Sequence, residues 1–352
     1  MRFLLTFLMA FAMAPGLAPS QEAPSPSAES LEQAHALIET HELQKANGLL
    51  SDLVRQNPGD ESVLLELGKV QLLQGLNDDA LNSFEAILRN KPESTAAREG
   101  EVKAAAAAAL ADRQAGANDT ALVYLVRARK FVPDSPELLL DFGVQAESMR
   151  IYQDADAALN KAHSLAPDDA RILYALAHVE LDEQKMPEAE ANLRAYLKIR
   201  PDDPTAHFGL GRLLHILLRD DEAKAELERS VALQPRQSSS YYELGEIALE
   251  QNEDSEAKDY YEKVLALAPH HGGALTGMGI LAFRTKDYAV AETYLKSAVL
   301  FASDYPRAHH YYALVLARLG REAESKAESE LARSLDEQQA RASRGNFLTV
   351  LP

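Results

Sequence analysis

Prolines fall at positions 58, 92, 133, 167, 201, 235 and 269, and every interval is 34 residues except one of 41. Twelve residues before each stands an alanine: Ala46, Ala80, Ala121, Ala155, Ala189, Ala223 and Ala257, with Ala291 continuing the series. A small residue also recurs in the preceding segment, at Gly68, Gly143, Ala177, Gly211, Gly245, Gly279 and Ala313. A large apolar residue precedes each one: Leu67, Phe142, Leu176, Leu210, Leu244, Met278 and Tyr312. A fixed period of this length marks a stack of supersecondary units, each completing the core of its neighbour.

Each mark has a physical job. The spacing of apolar residues is helical throughout, with no strand alternation after residue 30. Proline lacks an N–H and restricts the residue before it, so it ends the second helix of a unit. A mid-helix glycine costs about 1 kcal/mol against alanine, so its recurrence points to close helix approach. Asp and Asn cluster at the junctions, as in Pro201-Asp202-Asp203-Pro204, and can cap the next helix. The spacing predicts about nine units, at 27–60, 61–94, 95–135, 136–169, 170–203, 204–237, 238–271, 272–305 and 306–337. The third carries seven extra residues in the alanine-rich stretch Glu101–Arg113. Seven residues are about two helical turns, so a longer helix keeps its inner face in phase. In the ninth, Ala323, Ala327, Leu331 and Leu335 share one face of Glu322–Glu337, as a terminal cap requires.

These marks resemble the tetratricopeptide repeat family, over about residues 27–337. The resemblance rests on the large residue and glycine of helix A, the alanine of helix B and the terminal proline. The helix B aromatic is matched by Phe84 and Tyr261, with leucine elsewhere. The helix A tryptophan is absent, and Tyr241 is its nearest substitute. The resemblance implies an all-α, right-handed superhelical solenoid of antiparallel helix pairs over residues 31–337, with helix A lining an inner groove. The fifth helix A position usually faces that groove, and here it reads Leu65, Leu140, Tyr174, Phe208, Tyr242, Thr276 and His310. Further inward positions offer His178, Arg212, His215, Glu246, Phe283, Arg284, Tyr311 and Arg318. Aromatics and arginine are the residue types that anchor interfaces. A partner-binding groove is therefore expected from Tyr174, His178, Phe208, Arg212, His215, Tyr242, Glu246, Phe283, Arg284 and His310, centred on units 5–7. The other reading is that these rings fill gaps between successive A helices. The lysine and asparagine set with which some relatives grip a chaperone's C-terminal carboxylate is absent. Leu65 and Lys69, and Tyr174 and His178, stand at its positions.

The remaining sequence bounds the chemistry. Arg2, the apolar run Phe3–Ala14 and the small residues Gly16, Ala18 and Ser20 have the layout of a signal peptide over 1–20. Twelve apolar residues reach about 18 Å, short of a membrane core about 30 Å thick. Cleavage after Ser20 is expected, leaving no stable membrane insertion and an exported protein, periplasmic or extracellular, in a bacterium. Residues 21–30 read as a flexible spacer. The chain has no cysteine, which excludes disulfides and thiolate metal sites. Its net charge of −18 argues against nucleic acid as a partner. No metal or cofactor is expected: adjacent histidines on a helix point about 100° apart, so His270-His271 and His309-His310 read as loop and groove polar residues. Asn118-Asp119-Thr120 reads as a helix cap. No catalytic constellation is present. The tail 338–352 has no acidic residue and ends Phe347-Leu-Thr-Val-Leu-Pro352; it is either disordered or docks into a groove. The expected function is a non-catalytic scaffold for a protein or peptide partner. The rival is a module whose rings stack on an envelope polysaccharide.

Overall fold

The computed structural model describes residues 26–348, with the backbone alone at 26–28 and 342–348. The expected signal peptide, residues 21–25 of the spacer and residues 349–352 lie outside the described residues.

Eighteen α-helices and no strand make up the described residues, and they follow one another in pairs. The first three pairs are α1 (Pro26–Glu39) with α2 (Leu43–Gln56), α3 (Glu61–Leu73) with α4 (Asn77–Asn90), and α5 (Thr95–Gln114) with α6 (Asn118–Arg129). Next come α7 (Pro136–Ser148) with α8 (Tyr152–Leu165), α9 (Ala170–Asp182) with α10 (Met186–Ile199), and α11 (Pro204–Ile216) with α12 (Asp220–Leu233). The last are α13 (Ser238–Glu250) with α14 (Asp254–Leu267), α15 (Gly272–Arg284) with α16 (Tyr288–Phe301), and α17 (Pro306–Arg318) with α18 (Glu322–Leu348). The chain divides within α7 into two compact units, residues 1–145 and 146–352.

The periodic residues do what their spacing requires. Ala46, Ala80, Ala121, Ala155, Ala189, Ala223, Ala257 and Ala291 are all 0 % exposed, so helix B approaches its neighbours with no room for a larger side chain. Junction acids cap the A helices: Asp60 accepts from the N–H groups of Ser62 and Val63, and Asp203 from those of Thr205 and Ala206. The extra residues of the third repeat lengthen its A helix to 20 residues, against 13 in α7, α9 and α11.

Three elements differ from the sequence reading. Helix α1 begins at Pro26, inside the expected spacer, because proline suits a first turn and Ser-Ala-Glu-Ser can follow it. Helix α18 continues past residue 337 to Leu348, since Gln, Ala and Arg sustain a helix and no proline intervenes. Asn118 does not cap: Ala117 holds that position, and Asn118 is the first residue of α6.

Within residues 146–352 the A helices touch one another along the stack, α11 with α13, α13 with α15 and α15 with α17. They therefore form the shorter, inner side of that unit. One tie recurs three repeats apart. His207 Nδ1 lies 2.6 Å from Glu226 Oε2 and its Nε2 2.9 Å from the Pro201 carbonyl. His309 repeats this with Glu328 at 2.6 Å and the Ser303 carbonyl at 3.1 Å. His309 is thus buried structure, unlike the exposed groove residue its sequence position suggests.

Candidate inner-face binding site

The inner side of residues 146–352 has an open part and a closed part. The open part is on α9 and α11. Tyr174 is half-buried, with its ring 4.7 Å from that of His178 and 5.0 Å from that of Tyr196. The Tyr196 hydroxyl donates to Asp203, and burial, together with that carboxylate, pushes its pKa up to about 12. His178 keeps an exposed edge, and the surrounding protein lowers its pKa against the pull of Asp182. Phe208 is half-buried against the cluster of Leu210, Leu213 and Leu244. Arg212 is exposed, with its Nε 3.7 Å from Glu243 Oε1, too long for a strong pair. His215 Nδ1 lies 2.9 Å from Asp220 Oδ1. Tyr174, Phe208 and Tyr242 do not stack as a ladder; each ring packs on residues of its own neighbourhood.

The closed part is on α13, α15 and α17. Glu246 is buried, and the Tyr261 hydroxyl donates to its Oε1 at 2.6 Å. Arg307 donates to its other oxygen, Oε2. Arg307 also bonds the Tyr305 hydroxyl, which bonds Tyr242 in turn. Burial works against the Arg307 charge, but Glu246 and Tyr305 outweigh it and hold the guanidinium ionised. Tyr242 leans on His271, ring centroids 4.8 Å apart, while His271 caps α15 by accepting from the Ala274 N–H. Burial raises the pKa of Tyr242 and of Tyr261, and the Glu246 charge adds to it.

Glycines on α15 make room for this network. A Cβ at Gly277 would stand 2.4 Å from the Tyr261 ring, and one at Gly273 would stand 2.6 Å from the Tyr242 ring. Gly245 holds the other side of Tyr261, at 2.7 Å. Thr276 and Ile280, on inner positions of α15, are consequently buried. The groove expected over units 5–7 is therefore filled by the chain itself from Tyr242 onward. From Tyr242 onward the rings pack within the chain, as the gap-filling reading requires.

The remaining expected residues also have local duties. Phe283 packs on Tyr288 and Tyr311, at 5.8 and 6.3 Å. Arg284 pairs with Asp254 and donates to the Leu249 carbonyl at 3.1 Å, closing the end of α13. His310 is exposed and stands edge-on to Tyr311. Arg307, Tyr305, His271 and Glu243 belong to this face and were missed from the sequence. A signal existed: the junction position that holds Asp169 and Asp203 holds His271 and Tyr305 in later repeats. Among the described residues no group of three or more His, Cys, Asp or Glu side chains could hold a metal ion.

Models of the tetratricopeptide repeat match residues 31–95, 140–204 and 174–223, and a second model of the same description matches 238–271. The chain belongs to the tetratricopeptide repeat family. It is similar in fold to pilF of Pseudomonas aeruginosa, at 20 % identity and a TM-score of 0.55, covering 62 % of this chain and 99 % of that one. It is also similar to the APC/C hetero-tetramer Cut9–Hcn1, at 16 % identity and a TM-score of 0.53, covering 91 % of this chain and 62 % of the other. YrrB, a tetratricopeptide repeat protein with an unusual peptide-binding site, is 20 % identical, with a TM-score of 0.46 over 53 % of this chain and 96 % of its own. A comparison with curated proteins gives no match. Proteins of this repeat family are in general non-catalytic scaffolds that bind protein or peptide partners.

Proposed function

We propose that this protein is an exported, non-catalytic scaffold that binds a peptide or helical segment of a partner protein along the inner face of repeats 5 and 6. One observation carries the reading. Tyr174, His178, Phe208 and Arg212 stand open or half-open there, while the equivalent face of repeats 7–9 is occupied by the chain's own Arg307 and tyrosines. A preformed face of aromatic and arginine side chains on packed helices binds without a large ordering cost. Residues 1–20 support export by their signal-peptide layout. The net charge of −18 weighs against nucleic acid.

The test is affinity capture from envelope extract with wild-type bait and with a Tyr174→Ala/Phe208→Ala bait shown folded by circular dichroism. Loss of a discrete protein from the variant supports the reading. Identical capture by both baits would sink it. Retention of purified envelope polysaccharide by wild type alone would favour the glycan-binding alternative.

A further inference from the structure

Leu218 is the one apolar residue among nine at the left-handed apex of a turn between the two helices of a repeat. The other eight apices among the described residues are His41, Gly75, Gly116, Arg150, Gln184, Asn252, Lys286 and Gly320. Leu218 adopts φ 58° and is 82 % exposed. Neither property serves folding. A left-handed leucine costs about 1–2 kcal/mol where glycine or asparagine would not, and an exposed leucine gains nothing from burial. Ile216, two residues earlier at the last position of α11, is 55 % exposed. The turn itself is well made: the Leu218 N–H bonds the His215 carbonyl at 2.9 Å and the Arg219 N–H bonds the Leu214 carbonyl at 2.9 Å. A hydrogen-bonded turn therefore presents the apolar pair to water.

Repeat register supplies the flanks. The position of Ile216 is filled by Asp182 one repeat earlier and by Glu250 one repeat later, and both are exposed. The basic residues flanking Leu218 in sequence have local partners. Arg219 is bound to Glu190 and Glu222, and His215 faces Asp220. This edge of repeats 5–7 thus reads acidic, apolar, acidic at successive helix-pair spacings of about 10 Å.

We infer that the turn edge of repeats 5–7 is a docking surface for a cationic segment of a partner protein, with one large apolar side chain seated on Ile216 and Leu218 and a lysine or arginine on either side facing Asp182 and Glu250. An extended segment advances about 3.3 Å per residue, so the cations stand about three positions from the apolar residue. The inference rests on the scaffold reading and adds a second contact, at the rim of the face that Tyr174 and Phe208 line.

The probe is a random twelve-residue peptide library displayed on phage and selected against the full chain. Selected peptides are then measured on three variants. Ile216→Ser/Leu218→Asn removes the apolar pair with a residue that tolerates the turn; Asp182→Asn/Glu250→Gln removes the charges; Tyr174→Ala/Phe208→Ala removes the rings. The expected result is enrichment of a large apolar residue flanked by Lys or Arg at about three positions. Affinity falls at least ten-fold on the first variant and falls on the second, and the salt dependence is lost with the acids. No enrichment, enrichment without this pattern, or binding unchanged on the first variant overturns the inference. Peptides lost only on the ring variant overturn it and leave the scaffold reading standing. Peptides lost only on the edge variants remove the ring face and keep the edge.

Discussion

Arg307 meets Glu246 across an entire intervening repeat, sixty-one residues back along the chain. Beside that pair, Gly273 and Gly277 carry no side chain where α15 meets the rings of Tyr242 and Tyr261, which fill the space. Repeats 7 and 9 are thereby joined by one buried carboxylate. Arg307→Ala leaves Glu246 buried with the Tyr261 hydroxyl as its remaining donor. Removing one partner of such a pair costs about 2–4 kcal/mol, scaled down from fully buried cases because Arg307 keeps an exposed edge. Urea unfolding measures it, and Arg307→Ala/Glu246→Gln recovers part of the loss. Equal stability of wild type and Arg307→Ala would show the pair to be a surface contact.

Tyr261 sits between Gly245 and Gly277, and a Cβ at either would overlap its ring. Gly277→Ala is expected to destabilise by about 1–3 kcal/mol through overpacking. Tyr261→Leu, the residue other repeats carry there, should restore tolerance of the added methyl in the double variant Gly277→Ala/Tyr261→Leu. Additive losses in that cycle would contradict the steric account.

Leu218→Gly should raise stability. Relief of the left-handed strain gives about 1–2 kcal/mol, and the larger unfolded-state entropy of glycine offsets about 0.5–1 of it. A net gain of about 0.5–1 kcal/mol shifts the melting temperature up by a few degrees. A fall would mean that Leu218 packs in the folded state.

Glu101, in residues 1–145, is 0 % exposed, and neither carboxyl oxygen has a hydrogen-bond partner among the described residues. Burial first, and the neighbouring Glu85 charge second, raise its pKa from 4.5 to about 8. The folded state then holds more protons than the unfolded state between those values, so stability falls as pH rises through that window. Glu101→Gln does not titrate. Its stability relative to wild type should grow by about 3 kcal/mol between pH 4.5 and pH 8, at 1.36 kcal/mol per unit with allowance for relaxation. A pH-independent difference would contradict the buried acid.

The fold was legible because its marks are local and periodic. Each alanine in the series of 34 lands in a fully buried contact, and each junction Asp that caps does so on the residues just after it. The inner face was legible only in part. Tyr174, Phe208 and Arg212 can be placed on it by register alone. The closure of repeats 7–9 cannot, because it depends on side chains absent at Gly273 and Gly277 and on a reach of two repeats by Arg307. Register also locates positions where one repeat departs from its siblings: Tyr305 and His271 among Asp, Ser and Gln, and Leu218 among glycine and polar residues.

Site-specific photo-crosslinking in cells tests the central claim most directly. A photoreactive residue is placed at His178 or Arg212 on the open inner face, and at Lys258 or Glu262, which are exposed on α14. Crosslinks to one discrete protein from the inner positions, absent from the α14 positions, are the predicted result. Crosslinks from α14 alone, or none from His178 and Arg212, would contradict partner binding on the inner face of repeats 5 and 6.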